Sequence, residues 1–100
     1  MTTAMHDETD IRQIAEELST RLTAQYGAVL GSTALIKELG YPSSGAFQQA
    51  LVRGTVPVPV FRIEHRRGSF ALARDVALWL SRRRAQALAS RQVQGGGLSQ

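Results

Sequence analysis

From Asp7 to Gln25 the apolar residues return at helical spacing. Ile11, Ile14, Ala15, Leu18 and Leu22 follow an i, i+3, i+4, i+7 order and form one narrow stripe on a polar background. The pattern predicts an amphipathic helix over 7–26. Thr9 or Asp7 is placed to cap it, and its early acids suit the positive end of the helix dipole. Gly27 stops it after Tyr26. Residues 28–31, Ala-Val-Leu-Gly, form a short apolar entry segment. Ser32 or Thr33 can cap a second helix, about Thr33 to Leu39, which buries Leu35, Ile36 and Leu39 and ends at Gly40. Pro42 disfavours helical geometry at Tyr41. Ser43 and Ser44 then stand ready as N-caps for a third helix over Ser44–Arg53, closed by Gly54. Two short helices around a tight turn make a helix-turn-helix pattern over the middle of the chain.

After Gly54 helical spacing gives way to alternation. Thr55-Val56-Pro57-Val58-Pro59-Val60 is extended, because Pro57 and Pro59 forbid a helix interior. Phe61 and Ile63 point one way and Arg62 and Glu64 the other, as in a half-buried strand. His65-Arg66-Arg67-Gly68 reads as a turn, and Ser69-Phe70-Ala71-Leu72 as a returning strand whose Phe70 and Leu72 face Phe61 and Ile63. The expectation is a β-hairpin over 61–72 with Arg66 and Arg67 at its tip. A last helix runs from about Arg74 to Ala89 or Ser90, with Val76, Trp79 and Leu80 on its buried face. Residues 1–6 and 91–100 read as disordered ends, the latter carrying three consecutive Gly. The predicted organisation is therefore a helix at 7–26 followed by one domain over 28–90. The fold class is mainly α with a β-hairpin wing, a winged helix-turn-helix preceded by an extra N-terminal amphipathic helix.

Charge adds the first clue to function. The 100 residues carry 12 Lys and Arg against 8 Asp and Glu, a net of +4. The balance is uneven. Residues 1–17 hold five acids and one base, while residues 18–100 hold eleven bases and three acids. A basic body suggests a polyanionic partner, nucleic acid first. On the third helix Phe47, Ala50 and Leu51 share the inward face. The outward face shows Gly45, Gln48, Gln49, Val52 and Arg53, with no acid among them. Gln can bond adenine edges in a bidentate way, Arg can bond guanine, and Val can touch a thymine methyl. Ser43, Ser44 and Gly45 lie at the helix N-terminus, where backbone N–H groups approach phosphate. Arg62, Arg66 and Arg67 on the wing suit flanking phosphates or the minor groove.

Other chemistries find little footing. There is no Cys, which removes disulfides, thiolate metal sites and thiol nucleophiles. His6 and His65 lie far apart in sequence, so no metal site is expected. Gly95-Gly96-Gly97 follows no strand and opens no helix, so it is no phosphate loop. No carboxylate pair shares a plausible pocket and no Ser has a His base nearby, so neither catalysis nor a cofactor is expected. Phe47, Phe61 and Phe70 read as core and not as a stacking platform for RNA. No apolar run approaches membrane-spanning length, and Asp7, Glu8 and Asp10 interrupt the place where a signal peptide would be apolar. The expected location is cytoplasmic, with the nucleoid.

Residues 29–81 resemble the small winged-helix regulators of the AlpA and phage-excisionase type, relatives of the MerR DNA-binding domain. The resemblance is carried by Leu35-Ile36-Lys37-Glu38-Leu39-Gly40-Tyr41, by Ser43 to Gly54, by Val56-Pro57-Val58-Pro59-Val60-Phe61-Arg62-Ile63 and by Arg74-Asp75-Val76-Ala77-Leu78-Trp79-Leu80. The proline-rich wing entry is also similar to pyocin-activator-like regulators. The resemblance implies a sequence-specific binder of double-stranded DNA acting as a transcriptional regulator, or a recombination directionality factor of a mobile element. Integrase or RNA polymerase would be the protein partners. Two features depart from the family pattern: Gln48 and Gln49 stand where basic or aromatic residues are common, and the helix at 7–26 lies outside the minimal domain. Its stripe of Ile11, Ile14, Leu18 and Leu22 either packs on the chain's own domain or joins two copies in a homo-oligomer. A third reading, from a different class, is a protein-interaction adaptor that uses the 11–22 stripe and binds no DNA.

Overall fold

In a computed structural model the chain is described over residues 8–94, with side chains over residues 8–90. Four helices and two short strands follow in the order α1 (Glu8–Tyr26), β1 (Val29–Leu30), α2 (Ser32–Leu39), α3 (Ser44–Arg53), β2 (Ala71–Leu72) and α4 (Ala73–Gln94). The fold is mainly helical with one small antiparallel sheet. Glycines set the element ends. Gly27, Gly40 and Gly54 all have positive φ, a conformation that costs a glycine little and other residues more. At Gly40 the backbone N–H donates to the Ile36 carbonyl, and at Gly54 it reaches the carbonyls of Ala50 and Leu51.

The sheet determines how the helices meet. Leaving α1, the chain turns at Gly27 straight into β1, and β2 runs into α4 with no intervening residue. The two strands pair antiparallel, with Val29 opposite Leu72 and Leu30 opposite Ala71. A further bond from the Ala73 N–H to the Ala28 carbonyl, 2.8 Å, extends the ladder to the first residue of α4. The end of α1 is thereby held beside the start of α4, and the two long helices run back along each other. At their far end Arg82 pairs with Glu8 at 3.3 Å, both side chains about half exposed. Such an exposed pair contributes little by itself.

The core gathers where the helix pair, the sheet and α2–α3 meet. It is built on Leu22, Leu30, Leu35, Phe47, Val58, Ala71, Ala73, Val76 and Ala77. On α4 the fully buried positions are Ala73, Val76, Ala77 and Ser81, an i, i+3, i+4, i+8 series of small side chains that lets α1 approach closely. Buried Ser81 satisfies its hydroxyl on the Ala77 carbonyl at 2.8 Å. The Tyr26 hydroxyl donates to Glu38 Oε2 at 2.7 Å and ties the end of α1 to α2. That bond raises the Tyr26 pKa above its ordinary value, with burial and the Glu38 charge acting in the same direction.

Several expectations are refined or corrected. Of the two outcomes open to the stripe of the helix at 7–26, its C-terminal half takes the first and packs on the chain's own core. Leu22 is buried, and Leu18 and Tyr26 pack against the common core. Two of the four residues expected to join copies are thus used within the chain, while Ile11 and Ile14 are half-buried. Thr9 lies inside α1 and does not cap it; Asp7 and residues 1–6 lie outside the described residues. The apolar entry segment at 28–31 contains a strand, which pairs with β2 on the returning limb. On α4 Val76 is fully buried, and Trp79 and Leu80, as expected, pack against the core, though each is only half-buried. Ala77 and Ser81 are more deeply buried than either. Finally, α4 continues to Gln94, through the first part of the segment expected to be disordered; residues 95–100 lie outside the described residues.

Candidate nucleic-acid interface

The sharp turn between α2 and α3 is built by residues 40–43. Gly40 takes the left-handed conformation, Tyr41 donates its N–H to the Ile36 carbonyl at 2.9 Å, and Ser43 is extended. The Ser43 side chain accepts from the Ala46 N–H at 3.1 Å, the N-cap expected from the sequence. Phe47 then enters the core with no exposed surface and packs its ring on Tyr41, centroids 5.4 Å apart. Phe47 and Ala50 fix the inward face of α3. Everything opposite is solvent-facing: Ser44, Gly45, Gln48, Gln49, Val52 and Arg53 are all exposed. Val52 retains 87% of its surface.

The second half of the site is the segment from Thr55 to Phe70. Val56, Val58 and Val60 share one side of the extended run; Val58 is buried and the other two are half-buried. The expected hairpin is reduced to a single antiparallel bridge, Phe61 opposite Phe70, with both N–H to carbonyl bonds at 2.8 Å. The ladder ends there because this register puts Pro59, which has no N–H, opposite Leu72, while Ala71 and Leu72 pair along their other edge with β1. The turn falls earlier than expected, at Ile63–Arg66, where the Arg66 N–H donates to the Ile63 carbonyl at 3.0 Å. Its third residue, His65, has a φ of 67°, as the third position of a type II turn demands. Glu64 and His65 therefore sit at the tip, and Arg66 and Arg67 lie on the returning limb. The Arg66 guanidinium lies over the Phe70 ring, 4.8 Å from its centroid.

A serine anchors this limb to α2. Ser69 donates its N–H to Ser32 Oγ at 3.1 Å, and the Ser32 hydroxyl donates to the Ser69 carbonyl at 3.4 Å. The sequence makes Ser32 a candidate cap for α2, but Gly31 takes the N-cap position with no side-chain bond. Gly68 beside it has a positive φ, and a Cβ there would approach Ser32 Oγ to 3.0 Å.

These parts enclose an open groove of about 530 Å³ between α3 and the extended segment. Leu51, Val56, Val58 and Val60 form its floor, and Gln48, Val52, Phe61 and Arg62 its lips. The structure thus brings Gln48, Val52 and Arg62 to one opening. Gln49 and Arg53 continue the same exposed face of α3, Ser43, Ser44 and Gly45 lie at its N-terminus, and Arg66 and Arg67 lie farther along the segment. Phe61 and the valine floor were not among the expected site residues. Their signal was the period-2 spacing of Val56, Val58 and Val60, which an extended reading places on one side. Among the described residues no acid pairs with Arg53, Arg62, Arg66 or Arg67.

A second, polar crevice lies along α1 and α4 and is lined by Glu8, Arg12, Glu16, Arg74, Asp75 and Arg82, among others. Its charges alternate in sign. Among the described residues no group of three or more His, Asp or Glu could hold a metal ion, and no helix is long and apolar enough to cross a membrane. Compared with protein-family models, curated proteins and solved structures, the chain matches none.

Proposed function

We infer that the chain is a sequence-specific binder of double-stranded DNA that acts as a transcriptional regulator. In this reading it is a winged helix-turn-helix, with α3 in the major groove and residues 61–72 on the flanking backbone or minor groove. The observation that carries it is the shared groove: Gln48 and Val52 of α3 and Arg62 of the wing segment line one opening, with no acid among its lining residues. The connectivity adds support. A strand between the first two helices pairs antiparallel with the strand that returns from the wing, and the Phe61–Phe70 bridge supplies the remaining pair. With α1 counted as its first helix, the order is helix, strand, two helices, two extended limbs and a closing helix.

The roles follow from chemistry. Gln48 and Gln49 present paired donor and acceptor groups suited to adenine, and Arg53 presents the fork suited to guanine. Exposed Ser44 and Gly45 leave the α3 N-terminus open to a phosphate. Arg62, Arg66 and Arg67 supply charge that is sequence-independent. Selection of duplexes from a randomised pool by the full chain, followed by a salt titration of the enriched duplex, tests the reading. A recurring sequence bound with log affinity falling linearly in log salt is expected. An unenriched pool, or binding indifferent to salt, would overturn it.

A further inference from the structure

Only two large apolar side chains are exposed among the described residues, Val52 at 87% and Phe61 at 37%. Exposed apolar residues scattered singly need no explanation. These two are not scattered: both form lips of the same groove, over a floor of Leu51, Val56, Val58 and Val60. Phosphate contacts call for cations and N–H groups, and adenine or guanine edges call for Gln or Arg. Neither calls for an apolar lip. The one apolar feature that a DNA major groove presents is the 5-methyl group of a pyrimidine.

We propose that Val52, at the mouth of this groove, is the contact residue for a pyrimidine 5-methyl group. The proposal rests on the DNA-binding reading above and deepens it. Gln48 stands four residues before Val52, one turn away on the same helix face, and both line the groove. An amide suited to adenine thus sits beside a methyl-sized apolar surface, the two features that an A·T pair or two neighbouring pairs display together. Arg62 on the opposite lip is placed for a flanking phosphate. Thymine and 5-methylcytosine carry the same methyl at the same ring position. The shared chemistry is the methyl; the base pair that bears it is read by the glutamines.

The experiment takes the duplex selected from the randomised pool and replaces its thymines by uracil one at a time. For the full wild-type chain, at least one uracil is expected to weaken binding roughly three- to tenfold, the scale of removing one buried methyl group. At that position Val52→Ala should reduce the thymine-to-uracil ratio to less than about twofold, with the salt slope unchanged. Val52 is exposed, so the variant keeps its fold; its melting temperature checks this. Placing cytosine and then 5-methylcytosine there separates the sources. A methylated duplex bound more tightly than its unmethylated form by wild type, but not by Val52→Ala, assigns the effect to the methyl. Salt-dependent binding indifferent to uracil at every position overturns the proposal, leaves the DNA-binding reading standing and frees the groove for a protein segment. A uracil penalty that persists in Val52→Ala also overturns it. Absence of any enriched or salt-dependent duplex overturns both.

Discussion

Along α4, Ala73, Val76, Ala77 and Ser81 are buried against a helix that returns beside them. Across the molecule, residues 61–67 are exposed except for half-buried Ile63. The helix pair is held by a seam of buried side chains and, at one end, by the β1–β2 strand pair. The wing segment is held by one bridge, one stacked Arg and the Ser32–Ser69 pair. The difference separates two tasks. Burial stabilises the fold roughly in proportion to area removed from water, so the seam carries stability. Residues 61–67 bury only part of Ile63, so this segment contributes little to the core; on the proposed reading its exposed charge is what a polyanion would meet. The helix α3 belongs to both regions, with Phe47 in the core and Gln48 beside Phe61 and Arg62 at the groove.

The sharpest break of this comparison lies on α3 itself. Phe47→Ala should cost about 3–5 kcal/mol in urea unfolding, a large share of the roughly 5–15 kcal/mol that holds such a domain. Gln49→Ala, two positions away on the exposed face, should change stability by less than about 0.5 kcal/mol. Equal costs would mean that the two faces are not divided as described.

On the wing segment the expected effect moves from stability to affinity. The double variant Arg66→Ala, Arg67→Ala should weaken binding to all duplexes similarly. It should also lower the log–log salt slope by about 0.9 for each phosphate that is no longer neutralised. Because the exposed Arg66 stacks on the Phe70 ring without entering the core, the fold should weaken by no more than about 1 kcal/mol. A changed sequence preference with an unaltered slope would move these residues from the backbone to the bases.

The smallest effect tests the tie between the regions. Ser32→Ala removes both bonds to Ser69 and should cost about 0.5–1.5 kcal/mol. Amide exchange should quicken at Ser69 while that of Val76 keeps its protection. Uniform loosening of both would show that the wing segment opens together with the helix seam.

Legibility in the sequence follows the range of the interactions. The positions of α2 and α3, their glycine ends and the Ser43 cap were readable because each rests on residues within one or two turns. The two faces of α3 were readable for the same reason, since Phe47 and Ala50 at helical spacing leave Gln48, Gln49, Val52 and Arg53 opposite. The wing was only partly readable. Alternation predicts extended backbone at 61–63 and 69–72, but it does not say which strand is the partner. The second edge of the returning strand, at Ala71 and Leu72, is taken by β1, more than forty residues earlier in the chain. The same limit applies on α4: helical spacing put Val76, Trp79 and Leu80 on the inner face, and all three meet the core, but it did not single out Ala77 and Ser81 as fully buried.

Local order alone thus determined that this chain makes helices with a paired turn in the middle, an extended proline-bearing segment after it, and a cationic, acid-free outer face on α3. Tertiary structure decided that α1 packs on the core, that Ser32 holds the limb at Ser69 and does not cap a helix, and that Val52 and Phe61 share one groove. The physical reason is that spacing along the chain specifies which side of an element is apolar. Which surface covers that side depends on strands and helices distant in sequence, whose pairing costs loop entropy and is repaid only by burial in the assembled fold.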